Sequence, residues 1–137
     1  MTIPKLALVL LCLTPVTLGP KEAPQESPKE AKVTTLFSKD LPDVPGKEGL
    51  MLAVEYPPGA SDPVHRHNAD AFVYVLEGSI VMQVRGGKEV TLTPGQTFYE
   101  GPTDVHVVGR NASQTNPAKF VVFLVKEKGA PVLTERA

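Results

Sequence analysis

Between residues 50 and 126 the chain alternates short apolar runs with turn-forming residues, and no run keeps a helical period. Residues 50–56 (LMLAVEY) predict a strand that Pro57-Pro58-Gly59 ends. Residues 72–77 (FVYVLE) predict a second, stopped at Gly78. On this strand Val73 and Val75 share parity with Ala71, which sends them to a barrel interior. Phe72, Tyr74 and Leu76 then face a second layer or a partner subunit. Residues 80–85 (IVMQVR) and 88–92 (KEVTL) flank Gly86-Gly87, a clear hairpin signal. Residues 93–96 (TPGQ) form a Pro-Gly turn. Residues 97–100 (TFYE) and 105–109 (VHVVG) are short extended pieces, and 119–126 (KFVVFLVK) is the last strand. Many short strands at this spacing predict an all-β sandwich or barrel.

The N-terminal third breaks the pattern. Residues 1–19 carry one early lysine, an apolar run from Leu6 to Leu13 and then small or polar residues. That is the layout of a secretory signal peptide, and the run is too short to span a bilayer. Residues 20–32 (PKEAPQESPKEAK) hold lysine, glutamate and proline without a large apolar side chain, as expected of a disordered linker. The globular domain is expected over residues 33–137, about a hundred residues. The expected location is periplasmic or secreted, with no membrane contact once the signal is removed. Cys12 is the one cysteine, so the mature chain has none and no disulfide can hold it. Its own core, or partly a metal, must do so instead.

Composition changes this picture little. Fourteen prolines and eleven glycines in 137 residues favour short strands over long helices. A formal net charge of -1 with no basic cluster gives no case for a nucleic-acid partner. The triplet NAS at residues 111–113 fits a glycosylation acceptor, a frequent chance match.

The candidate chemistry lies in three histidines, all that the chain contains. His65 and His67 stand two residues apart, a spacing that puts both imidazoles on one face of a strand. Such a pair suits Zn, Cu, Fe or Ni, yet an isolated pair is more often an edge feature. His106, 39 residues beyond His67, begins another extended piece and can return beside the first strand of a small barrel.

Residues 59–78 (GASDPVHRHNADAFVYVLEG) resemble the first sequence motif of the cupins, with Gly59, His65, His67 and Gly78 in register. Residues 95–111 (GQTFYEGPTDVHVVGRN) are similar to the second, on Gly95 and His106. The resemblance implies a cupin-type double-stranded β-helix, a jelly-roll barrel. It also implies one divalent transition metal (Fe, Mn, Ni, Cu or Zn) on His65, His67 and His106. Three departures stand out. Ala71 occupies the place of the first motif's glutamate, Gly101-Pro102-Thr103 replaces Pro-x-Gly, and Arg110 displaces the asparagine to Asn111.

The expected site is therefore three imidazoles without an acid, favouring an anionic or enolisable ligand. Asp104, two residues before His106, is expected to cap its own turn. Glu77 is expected to be solvated, and Asp70 to face away from the side of Ala71. Asp104 and Glu100 are the weak candidates for a general base, and no catalytic residue is assigned. Phe98, Tyr99 and Met82 are expected to pack in the core. The function implied is a small exported metalloenzyme of the oxygen-dependent dioxygenase type acting on a bidentate or anionic small molecule. The alternative is a non-catalytic cupin that binds metal or ligand as a sensor or store. A homodimer is expected, with residues 33–37 (VTTLF) available to pair across the interface.

Overall fold

The computed structural model describes residue 19 and residues 29–135. The signal segment, except Gly19, and most of the linker expected over 20–32 lie outside the described residues. Among the described residues ten strands follow one another: β1 (Lys32–Asp40), β2 (Lys47–Tyr56), β3 (His65–Arg66), β4 (Asp70–Glu77), β5 (Ile80–Val84), β6 (Val90–Leu92), β7 (Thr97–Glu100), β8 (His106–Asn111), β9 (Ala118–Glu127) and β10 (Thr134–Glu135). Among the described residues there is no helix. The strands form two five-stranded sheets, ordered β1-β2-β9-β4-β7 and β10-β3-β8-β5-β6. Every pairing is antiparallel, and the expected all-β jelly roll is what the chain forms.

The period-two pattern explains the layering. β9 alternates buried and half-buried positions along its length. Ala118, Phe120, Val122 and Leu124 point into the barrel beside Leu52, Val54, Val73 and Val75 of the neighbouring strands. Ala71, Val73 and Val75 are buried and Phe72, Tyr74 and Leu76 exposed, the division that parity predicts. β5 and β6 pair around Gly86-Gly87 as the hairpin signal requires. Gly78 stops β4 for a steric reason. It has φ +68°, and a Cβ there would stand 2.5 Å from the Pro117 carbonyl oxygen.

Residues 33–37 lie within β1, which pairs with β2 of its own chain. Asn111 ends β8 inside the protein. It is 1% exposed, and its Nδ2 reaches the carbonyls of Tyr56, Pro57 and Asn116 at 3.1, 3.1 and 2.8 Å. Its Oδ1 accepts the Ser113 amide at 2.8 Å. The triplet at 111–113 is thus a buried pin that closes three loops. A glycan could not be attached at Asn111 without losing it.

Candidate metal centre

β3 is only two residues long, yet it places the first candidate donor. His65 pairs directly with His106 on β8, so a histidine from each motif sits on adjacent strands with both rings buried. Their ring centroids are 4.8 Å apart. His67 lies just past the strand end, before Asn68 at φ 52°, and its ring still turns back to His65 with centroids 4.8 Å apart.

Two backbone carbonyls fix the tautomers. His65 Nδ1 lies 2.9 Å from the Pro63 oxygen, and His67 Nδ1 lies 2.8 Å from the Val132 oxygen. A carbonyl only accepts, so each Nδ1 carries the proton and each Nε2 is left with a lone pair. The two Nε2 atoms stand 3.2 Å apart. Two lone pairs facing at that distance repel, and a shared cation turns the repulsion into attraction. The orienting carbonyls are the outer partners that metal-binding histidines need.

The third donor is one that sequence reasoning named only as a weak candidate base. Glu100, the last residue of β7, is 3% exposed. Its Oε2 is 3.8 Å from His67 Nε2 and its Oε1 is 3.5 Å from His106 Nδ1. His65, His67 and Glu100 offer ligand atoms that all lie within 4.8 Å of one another. His106 stands against this group, its Nδ1 3.3 Å from His65 Nε2, while its Nε2 is buried without a hydrogen-bond partner. All three predicted histidines converge, and the carboxylate missing at Ala71 arrives from the next strand. The signal that would have found it is the register: β4 and β7 pair Ala71 with Glu100.

The other acids behave as their positions suggest. Asp104 Oδ2 accepts the Gly101 amide at 2.7 Å and caps its turn. Asp70 accepts the Tyr99 hydroxyl at 2.6 Å on the outer face, and Glu77 is exposed. Met82 is fully buried and Phe98 half-buried, with its ring centroid 6.5 Å from that of His106. Tyr99 departs from the expected core role and is exposed on the outer face, because it shares parity with Thr97 and not with Glu100.

Burial dominates the electrostatics. It pushes the Glu100 carboxyl up to about 7, with Asp104 and then Asp62 adding repulsion. It pushes His106 down to about 4, helped by the positive charge His65 would carry. His67 is lowered by the same burial, against the Val132 carbonyl. At neutral pH His67 and His106 are therefore neutral imidazoles beside a carboxyl that sheds its proton readily to a cation. Neutral imidazole and carboxylate are the forms that bind a transition metal.

The donors line a cavity of about 70 Å³. Its walls are apolar, from Leu52, Val54, Val73, Met82, Phe120 and Val122. Val33 of β1 and Val132 and Leu133 before β10 line it as well.

A two-sheet antiparallel barrel with a buried histidine–carboxylate cluster that could hold a metal ion defines a class of small jelly-roll proteins. The cupin domain model matches residues 52–124, more than half the chain, and the protein belongs to the cupin family. No curated protein sequence matches it. Solved structures similar to it share the fold. A DMSP lyase from Ruegeria pomeroyi is 20% identical over 64% of this chain and 42% of its own, with a TM-score of 0.56. A cupin domain from Bordetella pertussis is 22% identical over 74% of this chain and 98% of its own, TM-score 0.57. An oxalate oxidase in complex with the substrate analogue glycolate is 23% identical over 83% of this chain and 59% of its own, TM-score 0.60. The chain thus spans less than half of the first and nearly all of the second.

Proposed function

We propose that this cupin binds one divalent transition metal through His65, His67, His106 and Glu100 and acts on a small bidentate or anionic molecule in an oxygen-dependent, dioxygenase-type reaction. The observation that carries the metal is the convergence of the two Nε2 lone pairs at 3.2 Å, each fixed by a carbonyl behind it. A bound divalent ion would polarise the ligand's oxygen atoms and, if redox-active, support chemistry with O₂. The chain's own residues do the rest. Val132 and Pro63 hold the imidazoles in the binding tautomer, and Glu100, once deprotonated, would be the acidic donor. The apolar walls keep bulk water from the reacting end.

Metal analysis of the purified protein tests this directly. About one ion per chain is expected, lost in His106→Ala and in Glu100→Ala. A metal-free protein after growth with added metals sinks the reading. Oxygen uptake with small hydroxy acids, diketones and flavonols then tests the reaction class. Silence across that panel, with the metal bound, makes the protein a binding module.

Export is part of the proposal and rests on the layout of residues 1–19. Cell fractionation decides it. Homodimerisation is also proposed, through the outer face of the first sheet. One cross-strand row there runs Phe37, Met51, Phe123, Phe72, Tyr99 over all five strands. Phe37, Phe72 and Tyr99 are half exposed or more, a contiguous apolar patch unusual for a lone monomer. Lys32, Glu55 and Lys119 flank it on one side, and Lys39 and Asp70 on the other. This mixed-sign rim suits a second copy of the same face. Light scattering should give twice the monomer mass, and Phe72→Glu should halve it.

A further inference from the structure

Tyr56, the last residue of β2, is fully buried. Its carbonyl is pinned by Asn111 at 3.1 Å and its ring packs edge-on against Phe120, with centroids 5.0 Å apart. The ring cannot move far, and it lines the same cavity as His65, His106 and Glu100. Its hydroxyl donates to Asp62 Oδ2. Asp62 is held in turn by its amide, which donates to the Gly109 carbonyl at 2.8 Å. A Cβ on Gly109 would stand 3.2 Å from Asp62 Oδ2 and 2.8 Å from His106 Cε1, so the carboxylate and the histidine share that corner only because residue 109 is glycine. Neither Tyr56 nor Asp62 belongs to the group of metal-donor atoms. The pair is a second, separately built polar feature in an otherwise apolar wall.

A phenol has one proton and two lone pairs. With the proton given to Asp62, the oxygen that Tyr56 offers the cavity is an acceptor, and so is the carboxylate beside it. A ligand satisfies this wall only if it brings a proton. An ether or methyl group in the same place forms no hydrogen bond with that oxygen, which a site built to accept one discriminates against. Size sets the other limit. A cavity of about 70 Å³ admits only a small molecule.

Building on the metal reading above, we propose that Tyr56, positioned by Asp62, is the specificity-determining residue of this cavity. It accepts a hydrogen bond from the hydroxyl of a small 2-hydroxy acid whose carboxylate faces the metal donors. Asp62 acts through Tyr56 and is a positioning residue.

The test uses the full protein loaded with Co(II), whose visible spectrum reports ligand binding. Glycolate, methoxyacetate and acetate are the probes. Wild type should bind glycolate at least about tenfold more tightly than methoxyacetate. Tyr56→Phe should keep one Co(II) per chain and bind the two alike. Asp62→Ala leaves the ring packed but frees the phenol to donate, so the preference should vanish or invert, with methoxyacetate gaining. Equal binding of the two probes by wild type overturns the proposal, as does a preference that survives in either variant. Should Tyr56→Phe not fold, Asp62→Ala alone decides. Wild type that takes up no Co(II) overturns the metal reading and this one with it. Co(II) bound, with the preference intact in the variants, overturns this one alone.

Discussion

Ala71 and Glu100 are direct partners across the β4–β7 ladder, both buried and both facing the barrel interior. The place where the cupin pattern has a glutamate is thus filled by a methyl group, and the carboxylate stands on the opposite residue of the next strand. Directly opposed residues have Cβ atoms about 4.5–5.5 Å apart. A glutamate side chain from either position can therefore reach nearly the same point. The site thus has a buried acid, on β7 rather than β4.

That relationship predicts a rescue. Glu100→Ala should weaken divalent-metal binding by more than about 100-fold, beyond the usual loss on removing an outer partner. Adding Ala71→Glu to that variant should recover a large part of the affinity. Chelator-competition titrations measure both. A double variant as weak as Glu100→Ala means that position 71 does not face the ion.

Protonation should couple to metal uptake. The Glu100 carboxyl is pushed up to about 7 by burial, so below that pH a cation must displace its proton. Affinity should rise about tenfold per pH unit up to about 7 and flatten above it, with His106, held near 4, contributing nothing in that range. In the metal-free protein the two groups oppose each other. Glu100, raised, binds more protons folded than unfolded and costs stability as pH climbs from about 4.5 to 7. His106, lowered, binds fewer protons folded and adds stability as pH climbs from about 4 to 6.5. Glu100→Gln removes the first effect alone, so its stability should gain on wild type by up to ~3 kcal/mol between pH 5 and 7.5. Urea denaturation at the two pH values reads the difference, and no relative gain shows that Glu100 is not strained in the apo state.

Most of the fold and half of the site can be read from period and punctuation. β4 and β9 alternate as their residues demand, and Gly86-Gly87 marks its hairpin, because these signals are local. His65, His67 and His106 are legible because histidine is rare here: the chain has three, and all fall in the two motif-like stretches. Glu100 is hidden because its role depends on register. Fifteen acidic residues compete for notice, and only the β4–β7 ladder sets this one opposite Ala71. β3 and β10, two residues each, carry too little pattern to be seen at all. The Tyr56–Asp62 pair depends on a turn between β2 and β3 that no periodicity describes. In the sequence Asn111 is a displaced motif residue or a glycan acceptor, and only its four hydrogen bonds give it a structural task.

Asn111 should be costly to replace. Asn111→Ala strips hydrogen bonds from three carbonyls and one amide that are partly or wholly shielded from water. With about 1 kcal/mol for each bond and more for each group left unpaired, the loss should reach roughly 3–5 kcal/mol. That is a large part of the stability of a domain this size. Denaturant midpoints measure it. A loss below about 1 kcal/mol would mean that the loops it joins hold together without it.

The C-terminal tail should matter to the metal more than to the fold. β10 is two residues long and exposed, and it pairs through Thr134 with Arg66 and Glu135 with His65. Removing every residue after Gly129 therefore takes away little buried surface. It also takes away the Val132 carbonyl, which holds His67 in its binding tautomer, and the Val132 and Leu133 side chains that cover the cavity. His67 would then sample both tautomers and turn toward solvent. Metal affinity should drop about 10- to 100-fold, while the denaturant midpoint moves little. The imidazole adds a second readout. Burial holds His67 below its ordinary value, and the carbonyl only partly offsets that. Truncation removes both influences, and because burial is the larger, the His67 pKa should rise. Histidine proton resonances followed against pH give the value. A pKa that stays low, with metal affinity unchanged, would show that the tail neither covers nor orients this ligand.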